Sequence, residues 1–316
     1  MANLADDGCG SICRVGAAAR ALGSDEPNLQ AFCDAAKVRF LGTPAFCQKG
    51  VVARMKIVWM SDPHFTQEGQ VLGHDPRIRL QAAVEHINEH HSDARMCVIS
   101  GDMVNRGTKA DYEGVAGRLS ELAIPFFPMM GNHDSRELFR QLLPLPDAAM
   151  EGFIQYRVKT PEAHVICLDT HKTGSDAGEF CEIRRKWLMD RLHDAGKTPT
   201  ILFMHHPPMP LGLPMQDTEN MEDGQDFIDL ISSFGCVKYM FVGHVHRPIS
   251  GSVEGIPFST MRSVLYQAPP PKPEWNWDTF EPSKEAPDIG IIRLEAGSVT
   301  LHYDQFCSYH LGVTAS

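Results

Sequence analysis

Short apolar runs alternate with longer amphipathic stretches from Lys56 onward. Six runs have the length and composition of strands, and they lie at 56–61, 96–100, 126–130, 164–169, 200–204 and 237–243. Between the runs, apolar residues recur at helical spacing, as they do at Leu80, Ala83, Val84 and Ile87. This alternation is typical of a sheet covered by helices, so we predict an α/β fold.

The two ends of the chain follow a different pattern. After residue 248 we expect strands joined by hairpin turns at 254–255 and 296–297, separated by a Pro- and Trp-rich surface loop over 268–287. Residues 1–54 are rich in Ala, Gly and Asp with little periodicity, and we predict a poorly ordered extension or a stretch that precedes the native start. The expected organisation is this extension, a folded domain over 55–306 and a tail over 307–316.

Charge and cysteine content limit the partners and the compartment. Lys and Arg number 29 against 40 Asp and Glu, which gives a net charge of −11, and no stretch forms a basic stripe. This balance argues against a nucleic-acid polymer or an anionic membrane surface as the main partner. No apolar run approaches the roughly 20 residues of a membrane helix. The nine scattered cysteines and the lack of a secretory pattern predict a soluble, cytoplasmic protein with reduced thiols.

Five of the six strand-like runs end in residue types that bind metals. The five groups are Asp62-Pro63-His64, Gly101-Asp102, Gly131-Asn132-His133-Asp134, His205-His206 and Gly243-His244-Val245-His246. Because the carboxyl ends of the strands of an α/β sheet meet at one crevice, we expect the groups to share a site. Any one group alone is better explained as turn or core residues. All five in this order favour a metal centre.

Spacing within the groups suggests how they would converge. Residues two apart on an extended segment project to the same side, so Asp62 with His64, and His244 with His246, could each face one metal. A carboxylate such as that of Asp102 could bridge two cations about 3.5–4 Å apart. The glycines at 101, 131 and 243 suit tight turns and close backbone approach.

Together these motifs resemble the signature of the calcineurin-like metallophosphoesterases over the region from Lys56 to Tyr303. Three further segments resemble most the class III cyclic nucleotide phosphodiesterases and the bacterial glycerophosphodiesterases, and they lie at 101–107, 205–212 and 215–217. The resemblance implies a four-layer fold in which two mixed β-sheets lie between helices. It also implies that the domain over 55–306 is the metallophosphoesterase domain, and that the protein forms a homo-oligomer.

The resemblance implies two metal ions as cofactors. One would be held by Asp62, His64, Asp102 and His246, and the other by Asp102, Asn132, His205 and His244. His133 matches the histidine of the family that contacts the phosphate and assists the leaving oxygen. The set combines imidazole, carboxylate and amide ligands without a thiolate, so Mn, Fe, Zn and Co all remain candidates.

The expected activity is hydrolysis of a small phosphodiester by a hydroxide that bridges the two metals. The substrate would be a 3′,5′-cyclic nucleotide or a glycerophosphodiester. A phosphomonoesterase or protein phosphatase on the same site is an alternative, with Arg136 or Arg262 supplying charge for a dianionic ester. An inactive scaffold that binds a partner is disfavoured because every matched ligand and His133 are present.

Several neighbouring residues have secondary roles in this interpretation. We expect His206 to point away from His205 and to orient a ligand or pack in the core, and Asp134 to orient ligands. His90 and His91 follow a helical stretch and are expected to be solvated. The apolar residues of the Pro-rich loop wall the pocket or simply pack that loop, and they are Met209, Leu211, Leu213 and Met215.

One segment departs from the pattern of close relatives. They carry a Gly-Thr-x-His-Gln-like segment near the substrate pocket, whereas this chain has Arg-Ser-Val-Leu-Tyr-Gln at 262–267. The departure leaves the metal ligands intact and leaves the identity of the substrate open.

Overall fold

Two mixed β-sheets pack face to face in the computed structural model, which describes residues 54–147, 149–295 and 297–314. Eleven strands lie within these residues: β1 (Arg54–Met60), β2 (Met96–Ile99), β3 (Phe126–Pro128), β4 (Tyr156–Lys159), β5 (His164–Cys167), β6 (Thr200–Met204), β7 (Val237–Val242), β8 (Ser250–Val253), β9 (Ile256–Thr260), β10 (Asp288–Glu295) and β11 (Ser298–Gln305). The first sheet has the order β11-β10-β1-β2-β3, and the second has the order β4-β5-β6-β7-β9-β8. The extension predicted for residues 1–54 lies outside the described residues except for Arg54.

Helices cover the outer faces of the sheets. Five α-helices are described: α1 (Pro76–His90), α2 (Lys109–Leu119), α3 (Arg136–Leu142), α4 (Glu182–Ala195) and α5 (Gly224–Ser232). Helix α1 begins where the carboxylate of Asp75 accepts the backbone N–H of Arg77 at 3.0 Å, with Pro76 in the first helical position. None of the described helices is long and apolar enough to cross a membrane.

Successive side chains of a strand point to opposite faces of its sheet, so the apolar side chains of one strand are shared between two hydrophobic cores. In β6, Ile201 and Phe203 join the core that includes the first sheet, whereas Leu202 and Met204 join the core beneath α4 and α5. Trp59 of β1 closes the space between the sheets, since its ring lies 5.1 Å from that of Phe241. The predicted α/β class and the four-layer arrangement of two mixed sheets flanked by helices are confirmed.

The parallel strands set the position of the site. β1, β2 and β3 are parallel to one another, as are β5, β6 and β7, and all six predicted strands are present. The predicted hairpin at 254–255 joins β8 to β9, and β10 pairs with β11. The segment 268–287 is mostly irregular and contains one short 3₁₀-helix, Trp277–Thr279. The short elements β4 and α3 were not predicted.

The residues after β11 lie against the start of α1. The backbone N–H of Asp75 donates to the carbonyl of Gly312 at 2.7 Å, and the N–H of Thr314 donates to the carbonyl of Gly73 at 3.1 Å. This part of the predicted tail over 307–316 therefore packs on the body of the protein.

Candidate metal centre

The ligand-bearing loops leave their strands through left-handed turns. The φ angles are +53° at Asp62, +42° at His64, +47° at Asp102, +70° at His244 and +49° at His246. β1 ends at Met60 and β7 ends at Val242, before these residues. The expectation that an extended backbone aligns the paired residues was wrong, because the turns and not the period of a strand bring the side chains together.

Four predicted ligands form one compact buried cluster. The Nε2 atom of His64 lies 3.1 Å from Nε2 of His246 and 3.4 Å from an oxygen of Asp102. Nε2 of His246 lies 3.4 Å from Oδ1 of Asp62. One ligand atom from each of the four residues lies within 4.8 Å of the others, so a single cation could contact all four.

A second group lies on the other side of Asp102. The Nε2 atom of His205 lies 3.0 Å from Oδ1 of Asn132 and 3.5 Å from Oδ2 of Asp102. The ring of His244 packs edge-on against that of His205 at 5.1 Å between centroids. Asp102 thus lies between two sets of nitrogen and oxygen ligands, which is the placement that a bridging carboxylate requires.

His206 lies beside the second group but is already hydrogen bonded. Its Nδ1 atom is 2.7 Å from the hydroxyl of Thr170, and its Nε2 atom is 3.1 Å from the carbonyl oxygen of Asp176. Both ring nitrogens therefore have partners away from the cluster. This agrees with the predicted packing role, although the ring nitrogens of His205, His206 and His244 approach within 4.8 Å.

Burial and neighbouring charges set the protonation of the cluster. Burial lowers the pKa of His64 and of His244 to about 3, which leaves both rings neutral and able to donate a lone pair. Burial also opposes charge on His205, but the carboxylate of Asp102 outweighs it and raises the pKa of His205 to about 9. For Asp102 the adjacent histidines outweigh burial and keep its pKa well below the usual range.

The donor atoms fit transition-metal ions. Nε2 of His244 is buried without a hydrogen-bond partner among the described residues. Unpartnered buried nitrogens are costly unless something binds them. Imidazole nitrogens, two carboxylates and one amide oxygen suit Mn, Fe, Zn or Co, so the residues present fit the expected ions.

Two glycines make room for the histidine of the second group. A Cβ atom at Gly101 would lie 2.2 Å from Nδ1 of His205, and one at Gly131 would lie 2.2 Å from Oδ1 of Asp102. Either contact is far inside van der Waals distance. The close backbone approach predicted for these glycines is confirmed.

Backbone carbonyls and Asp134 fix the orientation of the ligands. The Nδ1 atoms of His205 and His246 lie 2.9 Å and 3.0 Å from the carbonyls of Ser100 and Tyr266, which leaves each Nε2 facing the cluster. Asp134 accepts the N–H groups of Met103 and Gly131 at 3.1 Å and 2.9 Å. Asp134 therefore joins the loops that carry two ligands, as predicted.

His133 lies at the edge of the cluster with one ring nitrogen exposed to the pocket. Its backbone N–H donates to Oδ1 of Asp102 at 3.0 Å, and its Nδ1 atom lies 3.0 Å from the carbonyl of Asn105. Burial opposes its positive charge, but the carboxylate of Asp102 outweighs burial and raises the pKa of His133. A ring held in this way can donate a hydrogen bond from Nε2 into the pocket.

The cluster opens into a pocket whose volume is about 390 Å³, including the open space at its mouth. Beyond the predicted site residues, it is lined by Gln216, Glu219, Tyr266, Ala268, Trp277 and Phe280. Sequence analysis singled out the segments at 215–217 and 262–267, which hold Gln216 and Tyr266, but missed the other four wall residues, which lie outside the strands and α-helices. The Trp-rich composition of 268–287 was the sequence feature that could have indicated the aromatic wall residues Trp277 and Phe280.

The remaining candidates for the pocket, which are residues of the Pro-rich loop and two arginines, lie elsewhere. Met209 and Leu211 pack against the core beneath α4 and α5, so packing of the Pro-rich loop accounts for them. Arg136 is paired with Asp169 at 3.1 Å, and Arg262 is paired with Asp288 at 2.7 Å. Neither arginine lines the pocket, so neither is placed to supply the charge that a dianionic ester would need.

Comparison with known proteins places the chain in a family. The model of the calcineurin-like phosphoesterase family matches residues 55–248. A Rhodopseudomonas palustris protein named probable cyclic nucleotide phosphodiesterase is 34% identical over 261 residues, which are 80% of this chain and 93% of the relative. The glycerophosphodiester phosphodiesterase GpdQ of Enterobacter lignolyticus is 28% identical over 82% of this chain and 93% of its own.

A solved structure shares the fold. The dimetal phosphatase from Danio rerio superposes with a TM-score of 0.62 at 13% identity, and the match covers 80% of this chain and 97% of that one. The match to the family model over residues 55–248 and the relative that is 34% identical show that this chain belongs to the calcineurin-like phosphoesterase family.

Proposed function

We propose that this protein is a metal-dependent phosphodiesterase whose preferred substrates are 3′,5′-cyclic nucleotides. The observation that carries the proposal is the composition of the pocket. Its inner end holds the Asp/His cluster, its wall holds three aromatic rings, and among its described lining residues there is no lysine or arginine.

The lack of cationic side chains in the lining favours a diester over a monoester. A phosphodiester carries one negative charge, which two bound cations can offset, whereas a monoester dianion needs further positive groups. Arg136 and Arg262 are held in ion pairs away from the pocket. A phosphomonoesterase or protein phosphatase is therefore the weaker alternative.

The aromatic wall favours a substrate with a flat ring. Tyr266 lies 4.5 Å from the ring of His246, and its centroid is 6.3 Å from that of Phe280. Trp277 continues the wall, with its ring 5.8 Å from that of Phe280. A nucleobase can stack on such a surface while its phosphate reaches the cluster, whereas a glycerol group gains little from it.

We assign the ligands as the motifs imply. Asp62, His64, Asp102 and His246 hold one ion, and the second is held by Asp102, Asn132, His205 and His244. Two such ions lower the pKa of a bound water and offset charge on the phosphoryl oxygens. His133 donates a hydrogen bond from Nε2 to the leaving oxygen, for which its raised pKa suits it.

A substrate panel tests the proposal. The manganese-reconstituted protein is assayed for kcat/KM with cAMP, cGMP, glycerophosphocholine, bis-p-nitrophenyl phosphate and p-nitrophenyl phosphate. We expect one or both cyclic nucleotides to be preferred and the monoester to be the poorest substrate. Preference for glycerophosphocholine would replace the substrate assignment. Absence of turnover with all five would favour the inactive-scaffold alternative.

We further propose that the protein is cytoplasmic. Among the described residues, the five cysteines at 97, 167, 181, 236 and 307 are unpaired, which fits a reducing compartment. Fractionation of the native host checks this, and recovery of the protein outside the cytoplasm would contradict it.

Assembly and boundaries are proposals of the same kind. We propose a homo-oligomer, which sedimentation equilibrium would contradict by showing only a 35 kDa species.

We also propose that residues 55–306 form the catalytic domain without the N-terminal extension. Because Arg54 pairs with Glu295 in the first sheet, the test deletes residues 1–53 and measures soluble yield and activity. Loss of folding would contradict the boundary.

A further inference from the structure

A second group of histidines lies away from the catalytic pocket, at the carboxyl end of α1. We name it the α1–β11 cluster, and it consists of His86, His91 and Asp304. The Nε2 atoms of His86 and His91 lie 3.0 Å and 2.7 Å from the same carboxylate oxygen of Asp304. His91 was expected to be solvated, but its side chain is only 11% exposed and is held by Asp304.

Asp304 of the α1–β11 cluster is on β11, and β10 lies between it and β1, the strand whose carboxyl end leads to the ligand Asp62. The cluster therefore joins the end of α1 to β11, the edge strand of the first sheet. It shares no residue with the proposed catalytic machinery.

We propose that the α1–β11 cluster is a further metal site, which binds one transition-metal ion such as Zn²⁺ through His86, His91 and Asp304. Two imidazoles and a carboxylate are a ligand set used for zinc, with bonds of about 2.0–2.2 Å. Ligand atoms around a tetrahedral ion with such bonds lie about 3.3 Å apart. To reach that spacing, the observed separations of 3.0 Å and 2.7 Å would widen by about 0.3 Å and about 0.6 Å.

The surroundings of the cluster favour a cation. The cluster lies at the carboxyl end of a 15-residue helix, where the backbone dipole attracts positive charge. The adjacent backbone is fixed, since the N–H of His91 donates to the carbonyl of Ile87 at 2.8 Å and Asp304 pairs in register with Ile289. Asp304 is 37% exposed and His86 is 17% exposed, which leaves a path for an ion and an open position for water.

A bound ion would act as a structural clamp. His86 is on α1, His91 directly follows α1, and Asp304 is on β11, so a single ion would cross-link segments more than 200 residues apart in sequence. Closing such a long loop restricts the unfolded chain and stabilises the folded protein. The clamp would also secure the exposed edge of the first sheet.

Metal counting tests the site on the full-length protein. Metal-free protein is dialysed against buffered Zn²⁺, and bound zinc is counted per chain for the wild type, for His86→Gln/His91→Gln and for Asp304→Asn. Both variants are expected to bind one zinc fewer than the wild type and to lose part of the zinc-dependent rise in melting temperature. His193→Gln is the matched control, because His193 is also in the last turn of a helix. It should retain the wild-type count.

The outcomes separate this site from the catalytic centre. Manganese-dependent diesterase activity should be unchanged in all three variants, because none of their positions lines the pocket. The test uses the difference in zinc count, so it holds even if the proposed function fails. Equal counts in the wild type and both cluster variants, or the same loss in His193→Gln, would overturn the proposal. The zinc-free melting temperatures show whether each variant is folded.

Discussion

The catalytic centre and the α1–β11 cluster use the same ligand types but hold them in different ways. In the centre, five proposed ligands adopt left-handed backbone conformations and all five are buried. In the α1–β11 cluster, His86 is in a regular helix, Asp304 is in a regular strand, and both side chains are partly exposed. At the surface, a helix end and a strand bring together three ligands, whereas in the interior the two adjoining groups of ligands lie on strained loops.

The two clusters also differ in the backbone strain that their ligand-bearing segments carry. A non-glycine residue in the left-handed region costs about 1 kcal/mol or more, so the centre stores several kilocalories per mole of backbone strain. The surrounding hydrogen bonds, such as those of Asp134 to two loops, hold that strain in place. The α1–β11 cluster carries no such cost, and its loss should affect stability but not chemistry.

Asp102→Asn should have the largest effect, because it removes the carboxylate between the two ligand groups. We expect kcat/KM for a diester to fall about 1,000-fold or more, since a dinuclear centre contributes several kilocalories per mole to the transition state. The matched change in the other cluster, Asp304→Asn, should leave kcat/KM within about twofold. Similar losses in both variants would end the distinction between a catalytic and a structural cluster.

His133→Ala should retain the metal content and lose turnover. General acid catalysis contributes about 100- to 10,000-fold, so kcat for a cyclic nucleotide should fall within that range. The loss should be smaller with bis-p-nitrophenyl phosphate, because its leaving group needs less assistance. A loss of equal size on both substrates would argue for a purely electrostatic or structural role of His133.

Gly131→Ala should damage the centre through packing alone. The new Cβ atom would lie 2.2 Å from Asp102 and 2.7 Å from His205, and we expect unfolding free energy to fall by about 1–3 kcal/mol together with activity. The control is Gly117→Ala in α2, where nothing lies within 4 Å. It should gain about 0.5–1 kcal/mol. Urea unfolding of both variants measures the contrast, and a neutral Gly131→Ala would show that the loops can shift.

Local sequence signals predicted the catalytic centre but not the α1–β11 cluster. Each proposed ligand lies within four residues of the carboxyl end of a strand, so its position followed from the rule that parallel strands end at a common edge. The α1–β11 cluster pairs His91 with Asp304, 213 residues away, and depends on β11 lying beside α1. The aromatic wall was also missed, because Trp277 and Phe280 lie in an irregular loop. Periodicity cannot predict how such a loop folds back.

Trp277→Ala tests the outermost part of the pocket and should have the smallest effect. The indole is 54% exposed, so its stacking on a base should be worth about 0.5–1.5 kcal/mol, which corresponds to a rise in KM for cAMP of about two- to tenfold. KM for glycerophosphoglycerol should not change, because that substrate has neither a ring nor a cationic group that could lie on the indole. Trp187→Ala on α4 is the control, since Trp187 packs on the core beneath α4 and α5. Equal changes in KM for both substrates would show that Trp277 shapes the mouth of the pocket without recognising a base.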